Sequence, residues 1–165
     1  MTAIVGFSAF FGLTLMFLGC AVATGLAARR KLHLVSVGCA VASEVIRVIR
    51  DDGLLEHSKV MGERLRQGLL EIADASPHVG QVRGRGLLQG VELVTDKGSL
   101  TPLAGAASRL TGLAHDRNLM IYSCPTPLHD TVIEAVMLAP PLNLDEADVD
   151  EIVNRFGDAV AGLAL

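Results

Sequence analysis

The sequence predicts an α+β fold in which helices cover one face of a small, mainly antiparallel sheet. Three observations carry that expectation. Apolar residues recur at three- and four-residue steps in some segments and form short apolar runs in others. Glycine and proline punctuate the boundaries, above all in VRGRG at 82–86 and APP at 139–141. The segments follow one another as helix, helix, strand, strand, helix, strand, strand, helix, which is the order of a helix-covered layer.

Residues 37–49 read as the first helix, with Val41, Val45, Ile46 and Ile49 on one stripe. Asp51-Asp52-Gly53 interrupts it. The second helix runs over 54–75, its stripe formed by Leu55, Val60, Leu65, Leu69, Leu70 and Ile72. Glu63 and Gln67 face water, and Glu56, Lys59, Glu63 and Arg66 offer exposed pairings of a few tenths of a kcal/mol each. Ser76-Pro77 stops the helix, because the residue before proline is pushed out of the helical region. Strands follow at 79–82 and 87–94, with Gly84 and Gly86 allowing a tight bend between them. Gly90 permits a bulge or a close neighbour in the second strand. Asp96-Lys97-Gly98 is a turn. A third helix covers 103–117 through Ala107, Leu110 and Leu113-Ala114, and Asn118 ends it. A short strand at 119–122, a loop at 123–130 with two prolines, and a strand at 135–139 come next. Asn143 or Asp145 caps the last helix, and Asp145, Glu146 and Asp148 crowd its positive end. Val149, Ile152, Val153, Phe156 and Val160 line its buried face.

The N-terminus has a different character. Residues 2–28 contain no charge, and Arg29-Arg30-Lys31 follow at once. About 20 apolar residues suffice to cross a bilayer. The positive flank would then leave the rest of the chain in the cytoplasm. The run reads as a membrane anchor through residues 3–28, as a buried apolar helix, or as a leader foreign to the fold. It does not read as a cleaved signal peptide, since its positive charges follow the apolar run. The segment GCAVAT at 19–24 recurs as GCAVAS at 38–43, an offset that fits no solenoid repeat. The expected organisation is an apolar leader at 1–31 and a domain at 32–165. That domain comprises a linking helix region at 32–52 and a small domain at 53–165.

Composition excludes several functions. All 18 acidic residues but only 11 of the 14 basic ones lie beyond Lys31, which leaves no electrostatic footprint for nucleic acid. One Tyr and no Trp give few stacking platforms. Cys20, Cys39 and Cys124 make neither a disulfide framework nor a zinc site. The five histidines are scattered, with His129-Asp130 a polar pair in the proline-rich loop. RGRG at 83–86 lacks the GxGxxG spacing and leads into a strand, so it does not read as a phosphate loop. Arg83 and Arg85 flank Gly84, and only one of them need face a ligand or a partner domain.

Several segments in the right order carry a family resemblance. CAVASEVIRVIRDDGLLE, VRGRGLLQGVELV, RNLMIY, VMLAPPLNL and DEADVDEIVNRF resemble the C-terminal, small-domain part of class III aminotransferases. These are the pyridoxal-phosphate enzymes that include ornithine, 4-aminobutyrate and omega-amino-acid transaminases. The resemblance covers about 38–163 and implies the small domain of a fold-type I transferase, in truncated form. It implies amino-group transfer from an amino acid or amine to a 2-oxo acid, with pyridoxal 5'-phosphate as cofactor. It also implies a partner: a homodimer mate or the large domain that carries the cofactor.

The family's cofactor groups belong mainly to that large domain, and no catalytic or cofactor-binding residue is assigned in this chain. The only lysines are Lys31, Lys59 and Lys97. Lys31 falls where the family has a phosphate-reaching threonine. Some members place a carboxylate-binding arginine where this chain has Met137, and no arginine occurs between Arg117 and Arg155. The residues expected near substrate are therefore Met137, Arg83 and Arg85. Covalent transamination needs an amine, and without a suitably placed lysine the chain alone is expected to be inactive. A non-enzymatic module, tethered to a membrane or bound to a partner, is the alternative.

Overall fold

Residues 37–128 and 130–163 are described in a computed structural model of the chain. The chain divides between Ile49 and Arg50. The first described helix, α1, spans 37–51. Its apolar stripe is not buried: Val37, Val41, Val45 and Ile46 are 52–63% exposed. The turn at 52–53 ends it, with Gly53 in the left-handed region at φ 65°, a conformation glycine adopts without steric cost.

Helix α2 is Leu54–Ala75. Met61, Leu65, Leu69 and Ala73 recur every four residues and are its buried residues together with Gly62. That stripe decides the helix's rotation, so Leu55 and Val60, expected on the buried side, stand 63% and 62% exposed. Leu70 and Ile72 flank the core. Glu63 accepts a hydrogen bond from Gln67 at the surface. Ser76, in extended conformation, donates its N–H to the Ile72 carbonyl, and Lys97 donates to the Ala73 carbonyl from the turn after β2.

Strands β1 (Val79–Arg85) and β2 (Leu88–Asp96) form a hairpin. Gly86 turns it with φ 54°. Gly84 lies against β2 so closely that a Cβ there would sit 2.2 Å from the Leu88 carbonyl oxygen. The irregularity in register falls between Val79 and Gln81, whereas Gly90 keeps regular pairing with Arg83 and Met137. The bulge thus lies at Gly80, not at Gly90, where a bulge or a close neighbour is expected.

Strand β3 (Thr101–Pro102) adds to β2, and α3 (Ala106–His115) begins later than its periodicity suggested. Gly105 at φ 71° holds the chain out of the helix until Ala106. Asn118 at φ 56° follows its end. The strand expected at 119–122 is instead β4, Tyr122–Ser123. The segment read as a loop, 123–130, contains β5 (Thr126–Leu128), which pairs with β6 (Thr131–Ile133) just beyond it. Pro127 hid it, because proline is compatible with a strand only at an edge. Strand β7 is Ala135–Leu138 and helix α4 is Glu146–Ala161. Asp145, not Asn143, is the cap: it accepts from the Asp148 N–H at 2.9 Å, while Asp148 accepts from the Asp145 N–H at 3.0 Å.

The main sheet runs β1-β2-β7-β4, with β3 attached to β2, and every pairing is antiparallel. One face carries Val82, Val91, Leu93, Val136 and Leu138 into a core shared with α2, α3 and α4. Phe156 of α4 is fully buried there. Arg64 of α2 clamps α4 by a two-pronged pair with Asp150, at 2.9 and 2.8 Å, and reaches Glu146 at 3.1 Å. The Arg64 hydrogen bonds hold the Asp150 carboxyl below its ordinary range.

The membrane anchor expected from the sequence is corrected. Among the described residues no helix is long and apolar enough to cross a membrane. The uncharged run at 2–28, on which the anchor and its cytoplasmic orientation rested, lies outside the described residues, as does His129.

Candidate functional site

The face of the sheet opposite the core is uncovered at Arg83 and Tyr122, whereas Glu92 and Val94 on it are buried, and the strand register decides what it displays. Directly paired residues of antiparallel strands share a face. Arg83 pairs with Gly90, Gly90 with Met137, and Met137 with Tyr122, so the four form one row across β1, β2, β7 and β4. The next row is Gln81, Glu92 and Ala135. A small depression of about 120 Å³ lies over these strands, lined in part by Gln81, Arg83, Glu92 and Ile133.

The charges on this face are matched to each other. Arg83 donates to Glu92 at 2.5 Å through Nη2 and to Gln81 at 2.7 Å through Nε. The Glu92 side chain is only 11% exposed and that of Arg83 is 65% exposed. A mostly buried carboxylate needs a hydrogen-bonded counter-charge, and Arg83 supplies it. Its guanidinium is therefore committed before any ligand arrives. Glu92 was not among the residues expected near a site. A charge between Val91 and Leu93, in the apolar middle of the strand, is the signal that marks it.

Arg85 goes elsewhere. Residues i and i+2 of a strand share a face, but Arg85 stands at the end of the hairpin, opposite Leu88. It lines a separate cleft of about 520 Å³ together with Leu55, Lys59, Leu88, Pro140 and Leu142. Of the three residues expected near substrate, the register brings Arg83 and Met137 into one row and leaves Arg85 outside it.

A pyridoxal-phosphate site needs an amine, a partner for the ring nitrogen and a phosphate cradle. The described residues do not make one. Lys59 Nζ lies 2.6 Å from Glu56 Oε1 at the start of α2. Lys97 is bound to the Ala73 carbonyl. Neither joins the open face, and Lys31 lies outside the described residues. Among the described residues there is also no group of three or more His, Cys, Asp or Glu side chains able to hold a metal ion. Among the described residues the buried His78 Nδ1 and Gln89 Oε1 lack partners, and they belong to different parts of the fold.

The family model for aminotransferase class-III matches residues 36–160, so the chain belongs to the class III aminotransferases. It is 37% identical over 128 residues to the 5-aminovalerate aminotransferase of Pseudomonas putida, covering 78% of this chain and 29% of that one. It is 33% identical over 129 residues to the taurine–pyruvate aminotransferase of Rhodobacter capsulatus, covering 78% and 28%. Among solved structures, a transaminase from the marine bacterium Virgibacillus superposes with a TM-score of 0.68 at 30% identity, over 75% of this chain and 28% of that one. The omega transaminase of Pseudomonas jessenii in complex with PMP gives 0.62 at 32% identity, over 71% and 24%. The chain thus spans less than a third of the length of the relatives it matches. The small antiparallel sheet with its covering helices has the architecture of a fold-type I small domain.

Proposed function

We propose that this chain is the small-domain part of a pyridoxal-phosphate-dependent transaminase, and that it works only when a cofactor-bearing part completes it. The observation that carries this reading is the family match over 36–160 combined with the placement of the lysines. The match supports amino-group transfer as the parent chemistry. Among the described residues Lys59 and Lys97 are the lysines, and neither places an amine on the open face to begin it.

The chain's contribution to such a site is a wall. Met137 and Tyr122 offer apolar contact in the row that also contains Arg83. Because Glu92 already pairs with Arg83, a substrate carboxylate meeting this wall finds a guanidinium whose charge is shared with a neighbouring carboxylate. The wall therefore suits the uncharged part of an amino acid or amine, and the carboxylate is held by residues of the completing part or of a homodimer mate.

Purified full-length chain, supplied with pyridoxal 5'-phosphate, 2-oxo acid and donors such as 5-aminovalerate or taurine, is expected to produce no transamination product. Sustained turnover would overturn the claim that it acts only in completed form. A second reading, a partner-binding α+β module outside transamination, draws on the same uncommitted cleft at Arg85. It is favoured if a genuine completing part, brought together with the chain, fails to generate activity.

A further inference from the structure

We infer that the cavity between the end of α2, the segment at 76–78 and the end of α4 binds a small uncharged molecule: a flat apolar body of one or two rings carrying a single hydrogen-bond donor. None of its lining residues belongs to the open sheet face or to the cleft at Arg85.

Size and lining set the first limits. The cavity measures about 290 Å³. An apolar cavity of about 150 Å³ holds one benzene ring, so this one has room for up to two. Its walls are two helix faces. Ile72 and Ala75 stand three residues apart on α2, and Gly157, Val160 and Ala161 follow at steps of three and four on α4. Among the described residues the lining contains no Asp, Glu, Lys or Arg. A charged ligand would lose water here without gaining a counter-charge, so the occupant is uncharged and largely apolar.

Gly157 keeps the cavity open. A Cβ there would lie 3.5 Å from Ile72 Cδ1, an ordinary van der Waals contact. The packing therefore leaves room for alanine, and glycine is the less stable choice inside a helix. What glycine adds at this position is space between α2 and α4. A local rule broken without a steric reason is a mark of a functional position.

His78 supplies the polar group. Its Nδ1 is buried and lacks a partner among the described residues, and such orphans are rare in folded proteins. The main chain of His78 is pinned on both sides. Its N–H donates to Ser76 Oγ at 3.2 Å, and its carbonyl accepts from the Val94 N–H at 2.9 Å. The ring can still turn about its last torsion, whose wells are broad. Turned toward the cavity, in the tautomer that leaves Nδ1 unprotonated, it accepts one hydrogen bond. A ligand with one donor satisfies it, and an apolar ligand of the same shape leaves it orphaned.

The test is equilibrium dialysis of the full-length chain against indole, with indene as nearly the same shape without the N–H. Wild type is expected to take up indole saturably, near one per chain, and about fivefold more tightly than indene, the weight of one hydrogen bond. His78→Phe keeps an aromatic ring and removes the acceptor, and should bring the two ligands level. Gly157→Leu and Ala161→Leu should each weaken indole by about tenfold or more, because the added side chain occupies the space the rings need. Ala161 is exposed, so leucine there leaves the core intact. If circular dichroism shows Gly157→Leu unfolded, Ala161→Leu decides. Uptake that does not saturate, that fails to prefer indole over indene, or that survives unchanged in Ala161→Leu would overturn the inference.

Discussion

Glu134 lies 29 residues downstream of Gly105, yet it caps the helix that begins there. Its two oxygens accept from the Gly105 and Ala107 N–H groups, each at 3.0 Å. Gly105 has no side chain with which to do this, so a remote carboxylate meets the positive end of α3. The residue is 8% exposed. Glu134→Ala should cost about 2 kcal/mol, and Glu134→Gln about half that, since an amide keeps one acceptor. Urea denaturation measures both, and equal stabilities would refute the capping role. Glycines give a second contrast. A Cβ on Gly62 would lie 2.2 Å from the backbone carbon of Gly86, whereas one on Gly112 would meet nothing within 4 Å. Gly62→Ala should therefore destabilise by about 2–3 kcal/mol through overpacking of α2 on the hairpin turn. Gly112→Ala should stabilise by about 0.5–1 kcal/mol, because alanine is the better helix residue. Thermal melts of the pair shifting in the same direction would contradict this. At this scale little was legible from sequence. Neither the Glu134 cap nor the Gly62 contact joins neighbours in the chain, so no local pattern announces them.

The linkage between α2 and α4 is electrostatic as well as apolar. Arg64 holds the Asp150 carboxyl below its ordinary value of 3.8, chiefly by hydrogen bonding, and Asp150 raises Arg64 in turn. A carboxyl whose pKa is lower folded than unfolded stabilises the fold above its unfolded value. That contribution fades as pH falls from there through the folded value. The clamp should consequently be intact at neutral pH and weaken only below the ordinary aspartate range. In wild type the acid limb of stability should begin there, and Asp150→Asn should flatten it. An identical acid limb in the variant, followed by circular dichroism, would show that the clamp contributes nothing. The capping box makes a separate element-scale prediction: Asp145→Ala should cost about 1 kcal/mol by shortening α4 from its start. Most elements were legible at this scale. The four-residue recurrence in α2, the apolar face of α4 and the VRGRG hairpin are local patterns. The β5–β6 hairpin was not, since its prolines resemble a loop until the edge position of the strands is known.

The whole molecule is defined by two surfaces that its own core does not consume: the open sheet face and the cleft at Arg85. Helix α1 adds a third apolar feature, with Val37, Val41, Val45 and Ile46 exposed. A chain with this much uncovered apolar side chain should associate in solution. Light scattering on protein beginning at Gly38, with dye binding as a second readout, is expected to show species larger than monomer and strong dye uptake. A clean monomer that binds no dye would mean that these surfaces are satisfied within the chain. It would then favour an independent module over a part awaiting its complement.

The sequence by itself determined the family, the α+β class and the order of the helices and main strands. Each of those rests on periodicity and motif order, which are properties of neighbouring residues. Tertiary structure decided which residues meet. Pairing register, not spacing, put Met137, Gly90 and Arg83 in one row with Tyr122 and committed Arg83 to Glu92. The rotation of α2, fixed by Met61, Leu65, Leu69 and Ala73, turned Leu55 outward into the cleft that Arg85 also lines. A strand carries no local record of its partner's register, and a helix with more apolar residues than one face can bury carries no record of which will be left outside.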